Sequence, residues 1–164
     1  MSMPPAALQP LFEWMQGTAL ASYFLNTTWS SPIIQCVHLV ALVIFAGSVL
    51  IVDMRLLGRG VTDMSIAKVS RMAQPWLIWS FVVLVLSGVP QMFSTALKQY
   101  YSPFFWWKME LLILGMIFTF TIRRRVALAD EDRIGTFWPK VVAVFSMVLW
   151  LGVGTWARLI GLLS

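Results

Sequence analysis

One histidine occurs in the 164 residues, and it stands inside an apolar run at 32–57 that is long enough to cross a bilayer. An ionisable side chain in hydrocarbon is costly, so His38 marks a functional site by default. Its chemistry has three readings. A neutral imidazole can hydrogen-bond to a neighbouring helix, with Gln91 or a backbone carbonyl as partner. It can be an axial ligand of haem b, because imidazole suits iron and a haem fits between bundle helices. It can also act with methionines in a proton or copper relay.

Four other polar side chains fall inside spans at about the depth of His38: Gln35, Gln91, Lys108 and Arg158. Several helices contributing at one depth is how bundle-core sites are built. In the haem reading, Lys108 and Arg158 neutralise the propionates, tryptophans flank the macrocycle, and Gly115 or Gly154 makes room for it. A sixth ligand would come from Met92, Met109 or Met147, unless the iron is five-coordinate or the haem is shared at a dimer interface. The expected cofactor-binding set is therefore His38, Gln91, Lys108 and Arg158, with His38 as the metal ligand. No acid–base pair, nucleophile motif or nucleotide-binding loop is present, so the chain is not expected to be an enzyme on its own.

These residues need elements to hold them. Hydrophobic residues make up 59% of the chain and charged ones 12%, against about 25% charged in soluble domains. Four apolar runs account for this, at 32–57, 73–97, 103–122 and 139–163, each expected as a transmembrane helix, the third at about 103–125. The expectation is one all-α domain, an integral membrane four-helix bundle. An amphipathic helix at about 6–27 precedes it, lying on the interface or capping the bundle, with Leu8, Leu11, Phe12, Met15, Ala19 and Tyr23 on one face.

On a 100° wheel Gln35, His38, Leu42, Phe45 and Val49 share a face of the first span, with Asp53 beside it. Ala46 and Gly47 lie away from that face, where another backbone could approach. Thr62 is expected to cap a short surface helix at 63–72, before a second span beginning near Pro75 and kinked at Pro90. Ser80, Ser87, Gln91 and Ser94 form a polar stripe on that span. On the third, Lys108, Leu112, Gly115 and Thr119 face the bundle, and Glu110 points elsewhere, towards the N-terminal segment, a neighbouring subunit or interfacial water. On the fourth, Met147, Leu151, Gly154 and Arg158 share a face, with Trp150 adjacent, and Arg158, about one turn from the outer end, can snorkel.

Nine of the twelve basic residues lie between spans one and two or three and four. Positive charge near short loops marks the cytoplasmic side. Both termini are therefore expected on the periplasmic side of a bacterial inner membrane. The first Lys or Arg is Arg55, so no basic n-region precedes the first span, which should act as its own insertion signal. The net charge of +5 reports topology, not nucleic-acid binding. Arg123, Arg124 and Arg125, with Asp130, Glu131 and Asp132, read as a solvated turn, and Asp53 should pair with a cytoplasmic arginine. The lone Cys36 excludes an intrachain disulfide and reads as a small buried apolar side chain.

The pattern Gln35-x-x-His38-Leu39, then Gly47, then Asp53-x-Arg55-Leu56-Leu57-Gly58, resembles a family of small bacterial inner-membrane proteins of uncharacterised function. Gly154-Thr155-Trp156-Ala157-Arg158 fits the same family. That family is distantly similar to copper-resistance-D-type four-helix membrane domains and, more remotely, to haem-carrying cytochrome b bundles. The resemblance implies a histidine-bearing bundle and leaves the activity open. The residues themselves lead to the expectation of a haem-binding protein associated with electron transport, as a homo-oligomer or beside other membrane redox subunits. The alternatives are a non-catalytic structural or assembly subunit and a carrier of copper or a small solute.

Overall fold

A computed structural model describes residues 6–129, 135 and 137–163, with side chains up to residue 159. The acidic stretch 130–132 and Arg133 lie outside the described residues. After a 3-10 turn at Ala6–Leu8 come α1 (Gln9–Gln16), α2 (Ala19–Asn26), α3 (Ser30–Leu56), α4 (Ile66–Ser94) and α5 (Ala96–Tyr101). Then come α6 (Pro103–Phe118), a π-helical segment Thr119–Arg123, α7 (Arg124–Leu128) and α8 (Phe137–Leu163). The all-α expectation holds among the described residues. Three helices are long and apolar enough to cross a membrane: α3, α4, and α8 over Phe137–Leu159. The third expected span differs. It is divided into the 16 residues of α6, the π segment and α7, which follow one another without a break.

The N-terminal segment is two helices, not one. Gly17 closes α1, and Thr18 caps α2, its hydroxyl oxygen accepting the Ala21 N–H at 3.3 Å and donating to the Met15 carbonyl at 2.7 Å. Phe12 and Met15 are buried in a cluster with Ala96, Tyr100 and Phe105, so α1 packs on α5 and the start of α6. Gln16 adds a polar tie, its side-chain oxygen accepting the Leu97 N–H at 3.1 Å. The segment thus packs on the end of the bundle formed by α5 and the start of α6.

α3 ends in a Schellman motif. The Gly58 N–H bonds to the Arg55 carbonyl at 3.0 Å and the Arg59 N–H to the Met54 carbonyl at 2.9 Å, with Gly58 at φ +77°. A Cβ would be strained at that φ, which is why glycine stops the helix there. The expected surface helix at 63–72 is not separate. Ser65, not Thr62, is the N-cap, its hydroxyl accepting the Lys68 N–H, and α4 runs on through Pro75 and Pro90.

α3 packs along α4, α6 along α8, and α3 also against α8. α4 meets the third segment chiefly through α7. The helices thus form a ring that is closed at the loop end and less tightly closed between α4 and α6 at the end carrying the termini. Across the middle lie Phe45, Phe81, Phe120 and Trp150, with ring centroids 4.6–6.2 Å apart along the chain of contacts. Trp150 fits because Gly115 of α6 has no side chain. A Cβ there would stand 2.9 Å from Leu149 Cδ2 and 3.4 Å from Trp150 Cζ2.

Candidate functional site

His38 sits in the first third of α3, about 12 Å from its start at 1.5 Å per residue. Its partner is Ser87 of α4, with Nδ1 and Oγ 2.9 Å apart. The Ser87 hydroxyl spends its proton on its own helix, donating to the Val83 carbonyl at 2.6 Å, as serines in helices do. With that proton spent, the hydroxyl is able to accept an Nδ1–H, and in that tautomer the lone pair lies on Nε2. The ring also lies against α4 at Gly88, where a Cβ would stand 3.5 Å from His38 Cε1. A hydrogen bond on one ring nitrogen and a free lone pair on the other is the arrangement of a metal-ligating histidine with its outer-shell partner.

Lys108 of α6 is half-buried and is the charged group nearest in effect to the imidazole. Among the described residues no ion pair or hydrogen bond engages it. Gln91 does not join the histidine. Its amide N–H donates at 3.1 Å to the Ser87 carbonyl, one turn back on its own helix. Arg158 is exposed on the outward side of α8 and does not enter the group. This corrects the expected orientation of α8. The buried side carries Val142, Ala143, Ser146, Leu149 and Val153, while Leu151, Gly154 and Arg158 face out. Gln35 and Leu42 are likewise exposed, so only the lower part of the expected α3 face, Phe45 and Val49, is inside. Met92 and Met109 pack against the aromatic cluster under α1.

A second polar group lies at the loop end. Asp53 is fully buried and Arg123 is 5% exposed, with Nε donating to Oδ1 at 2.6 Å. Arg123 Nη2 also donates to the Val49 carbonyl at 2.7 Å, so one guanidinium holds two turns of α3. Asp53 has the arginine partner expected for it. The correction concerns Arg123, which is in the interior and not in a solvated turn. Arg123 closes the π segment, four residues beyond buried Thr119 and on the same side of the helix. Arg124 and Arg125 remain exposed. Buried Ser146 lies beside the Asp53 carboxylate. Nearby, Trp150 Nε1 donates to the Thr119 hydroxyl at 3.1 Å.

Cys36 is exposed, contrary to expectation, and lines an apolar groove between α3 and α4 with Val40, Ile44, Trp76 and Trp79. Ala46 and Gly47 are exposed, with open space beside Gly47. Glu110 is exposed within the apolar part of α6. Among the described residues no three His, Cys, Asp or Glu side chains converge on a point, so His38 stands as a single donor. Ser87 was visible in the sequence as a member of the α4 polar stripe. Arg123 could have been found by continuing the bundle face of Lys108, Leu112, Gly115 and Thr119 one further turn.

Residues 11–163 match the model of a family of unknown function (DUF6644), and the chain belongs to that family. No curated protein and no solved structure matches it. The expected likeness to copper-resistance-D-type and cytochrome b bundles has no counterpart in these comparisons.

Proposed function

We propose that this member of the family is a multi-pass protein of the bacterial inner membrane that holds a haem b through His38 and takes part in electron transfer, as a subunit of a larger membrane complex. The observation that carries the proposal is the Nδ1–Ser87 hydrogen bond, which orients the ring and, with the proton on Nδ1, makes Nε2 the lone-pair donor. Iron then requires only this one side chain. Lys108, half-buried and without a described partner, supplies a cation for a propionate. Arg158 has no part in this version of the site, and Gln91 contributes only by bracing the α4 turn at Ser87. Haem would supply one-electron redox chemistry. The chain's own part is to ligate, orient and neutralise.

The third segment completes a fourth span in this proposal. Residues 103–128 form 26 consecutive helical positions, about 39 Å at 1.5 Å each, against a ~30 Å hydrocarbon core. The concentration of Lys and Arg between the spans supports placing both termini on the periplasmic side.

A second reading rests on Gly88: the close seat of the imidazole on α4 suits a helix-to-helix lock with no ligand. The visible spectrum of the purified protein separates the two. The haem reading expects a Soret band that shifts on dithionite reduction and is lost in His38→Ala. Ser87→Ala should keep the band with affinity lowered about 10- to 100-fold, the usual effect of removing an outer-shell partner. A colourless preparation that stays colourless after incubation with hemin overturns the haem reading. Copper bound at one equivalent in that preparation would favour a copper carrier instead.

A further inference from the structure

Two charged side chains of opposite sign are left on the outside of the apolar helices, and neither has a partner within the described chain. Glu110 leaves α6 on the face it shares with Leu114 and Ile117, and Arg158 leaves α8 on the face it shares with Leu151 and Gly154. A charge facing lipid is costly, most of all for Glu110 within the apolar part of α6. Arg158, near the end of α8, can snorkel, and a counterpart relieves both.

Their depths match. α6 and α8 run antiparallel, with Trp107 stacked on Trp156 at 6.2 Å and Leu111 3.5 Å from the Cβ position of Gly152. Glu110 is therefore level with about residue 153 of α8, and Arg158 lies some five residues, about 8 Å, nearer the terminal end. Side chains tilt towards a helix's N-terminus. That tilt carries Arg158 towards the bilayer centre and Glu110 towards the terminal end, so the two side chains close most of the gap.

Their directions differ in a way that forbids an internal pair and permits an external one. At 100° per residue, Arg158 lies about 120° from Gly152, which faces α6, and about 80° beyond Trp150, which touches α3 through Phe45. It therefore leans to the α3 side of α8. Glu110 lies about 100° from Leu111, on the opposite side of α6 from Lys108, and so on the lipid side of the α6–α8 seam. A two-fold axis parallel to the helices and passing in front of α8 sets α6 of one copy opposite α3 of the other. Arg158 of each copy then meets Glu110 of its mate. The open space at Gly154, where a Cβ would touch nothing, gives the neighbouring backbone room to approach.

We infer that the chain forms a two-fold homodimer across the exposed α6–α8 face, closed by two reciprocal Glu110–Arg158 ion pairs. Such an interface is isologous, so one pair of residues supplies both contacts. The inference is independent of whether His38 holds a haem.

Charge reversal tests it. The full-length chain is purified in mild detergent or nanodiscs and its mass measured intact. Wild type is expected as a dimer. Glu110→Arg or Arg158→Glu alone should weaken dimerisation by about tenfold or more, two like charges now facing each other. The double variant E110R/R158E should restore it. Independently, Leu151→Cys in a Cys36→Ser background should cross-link in native membranes, because the axis passes in front of α8. Helical circular dichroism shows that each variant is folded, and Glu110→Gln and Arg158→Gln serve as milder substitutes for any that is not. A monomeric wild type, single reversals that stay dimeric, or a folded double variant that stays monomeric overturns the inference. So does a wild type recovered only in complex with a different chain.

Discussion

Replacing Arg123 with Met removes the guanidinium and keeps a side chain of similar length. Asp53 is then left fully buried with its counter-ion gone, and the Val49 carbonyl loses a 2.7 Å donor. Breaking a buried pair by deleting one member costs about 3–5 kcal/mol, because the survivor is left uncompensated. At 1.4 kcal/mol per decade this is roughly two to three and a half decades in the unfolding constant. The reverse deletion, Asp53→Leu, should cost a similar amount, since Arg123 is then buried with only a carbonyl to bond. The decisive variant is the double, Asp53→Leu with Arg123→Met. Well-packed apolar pairs of similar volume often match or exceed a buried ion pair in stability. The double should therefore unfold within about 1 kcal/mol of wild type. The cycle is measured by titrating SDS into mixed micelles and following helicity. A cost below about 1 kcal/mol for Arg123→Met, or a double variant as unstable as the two singles summed, would refute the reasoning.

Three further outcomes follow from local geometry. Gly115→Leu should destabilise by about 1–3 kcal/mol in the same titration, because even its Cβ meets Leu149 at 2.9 Å and α6 must lift off α8. Trp150→Phe keeps the aromatic contact with Phe45 but loses the bond to Thr119, and should cost about 1 kcal/mol. A C-terminal alkaline phosphatase fusion should be active in cells and a green fluorescent protein fusion dark. The opposite pattern would reverse the proposed orientation.

The long apolar helices were legible because hydrocarbon length and the scarcity of charge leave few alternatives over 32–57, 73–97 and 139–163. The inside and outside of each helix were harder. In a soluble protein an apolar residue points inward, whereas here lipid is as apolar as the core. Cys36 illustrates this, since it reads as a buried apolar side chain and is exposed. Polar residues were the better guide, and Asp53 with an arginine was readable for that reason. Even so, the wheel could not choose between Ser87 and Gln91 as the partner of His38. They lie four residues apart on one face of α4, and the crossing of α3 over α4 decides which one meets the ring. Arg123 escaped because it was grouped with Arg124 and Arg125 as a solvated turn, although it stands one turn beyond Thr119 on the bundle face. The N-terminal segment divided at Gly17–Thr18 because a capping threonine after a glycine favours a new start over a continued helix.

Phe45, Phe81, Phe120 and Trp150 fill the bundle between His38 and Asp53, which are 15 residues apart, or about 22 Å, along α3. In a bilayer such a layer is an insulator. The buried hydroxyls beside it are engaged: Ser48 and Ser80 donate to carbonyls of their own helices, and Thr119 accepts from the Trp150 indole. In the membrane setting proposed above, most of the transmembrane voltage would fall across these rings, at about 2.3 kcal/mol per elementary charge per 100 mV. The imidazole end and the ion-pair end would then answer to different aqueous phases, and a charge delivered at His38 would leave by the side it came from.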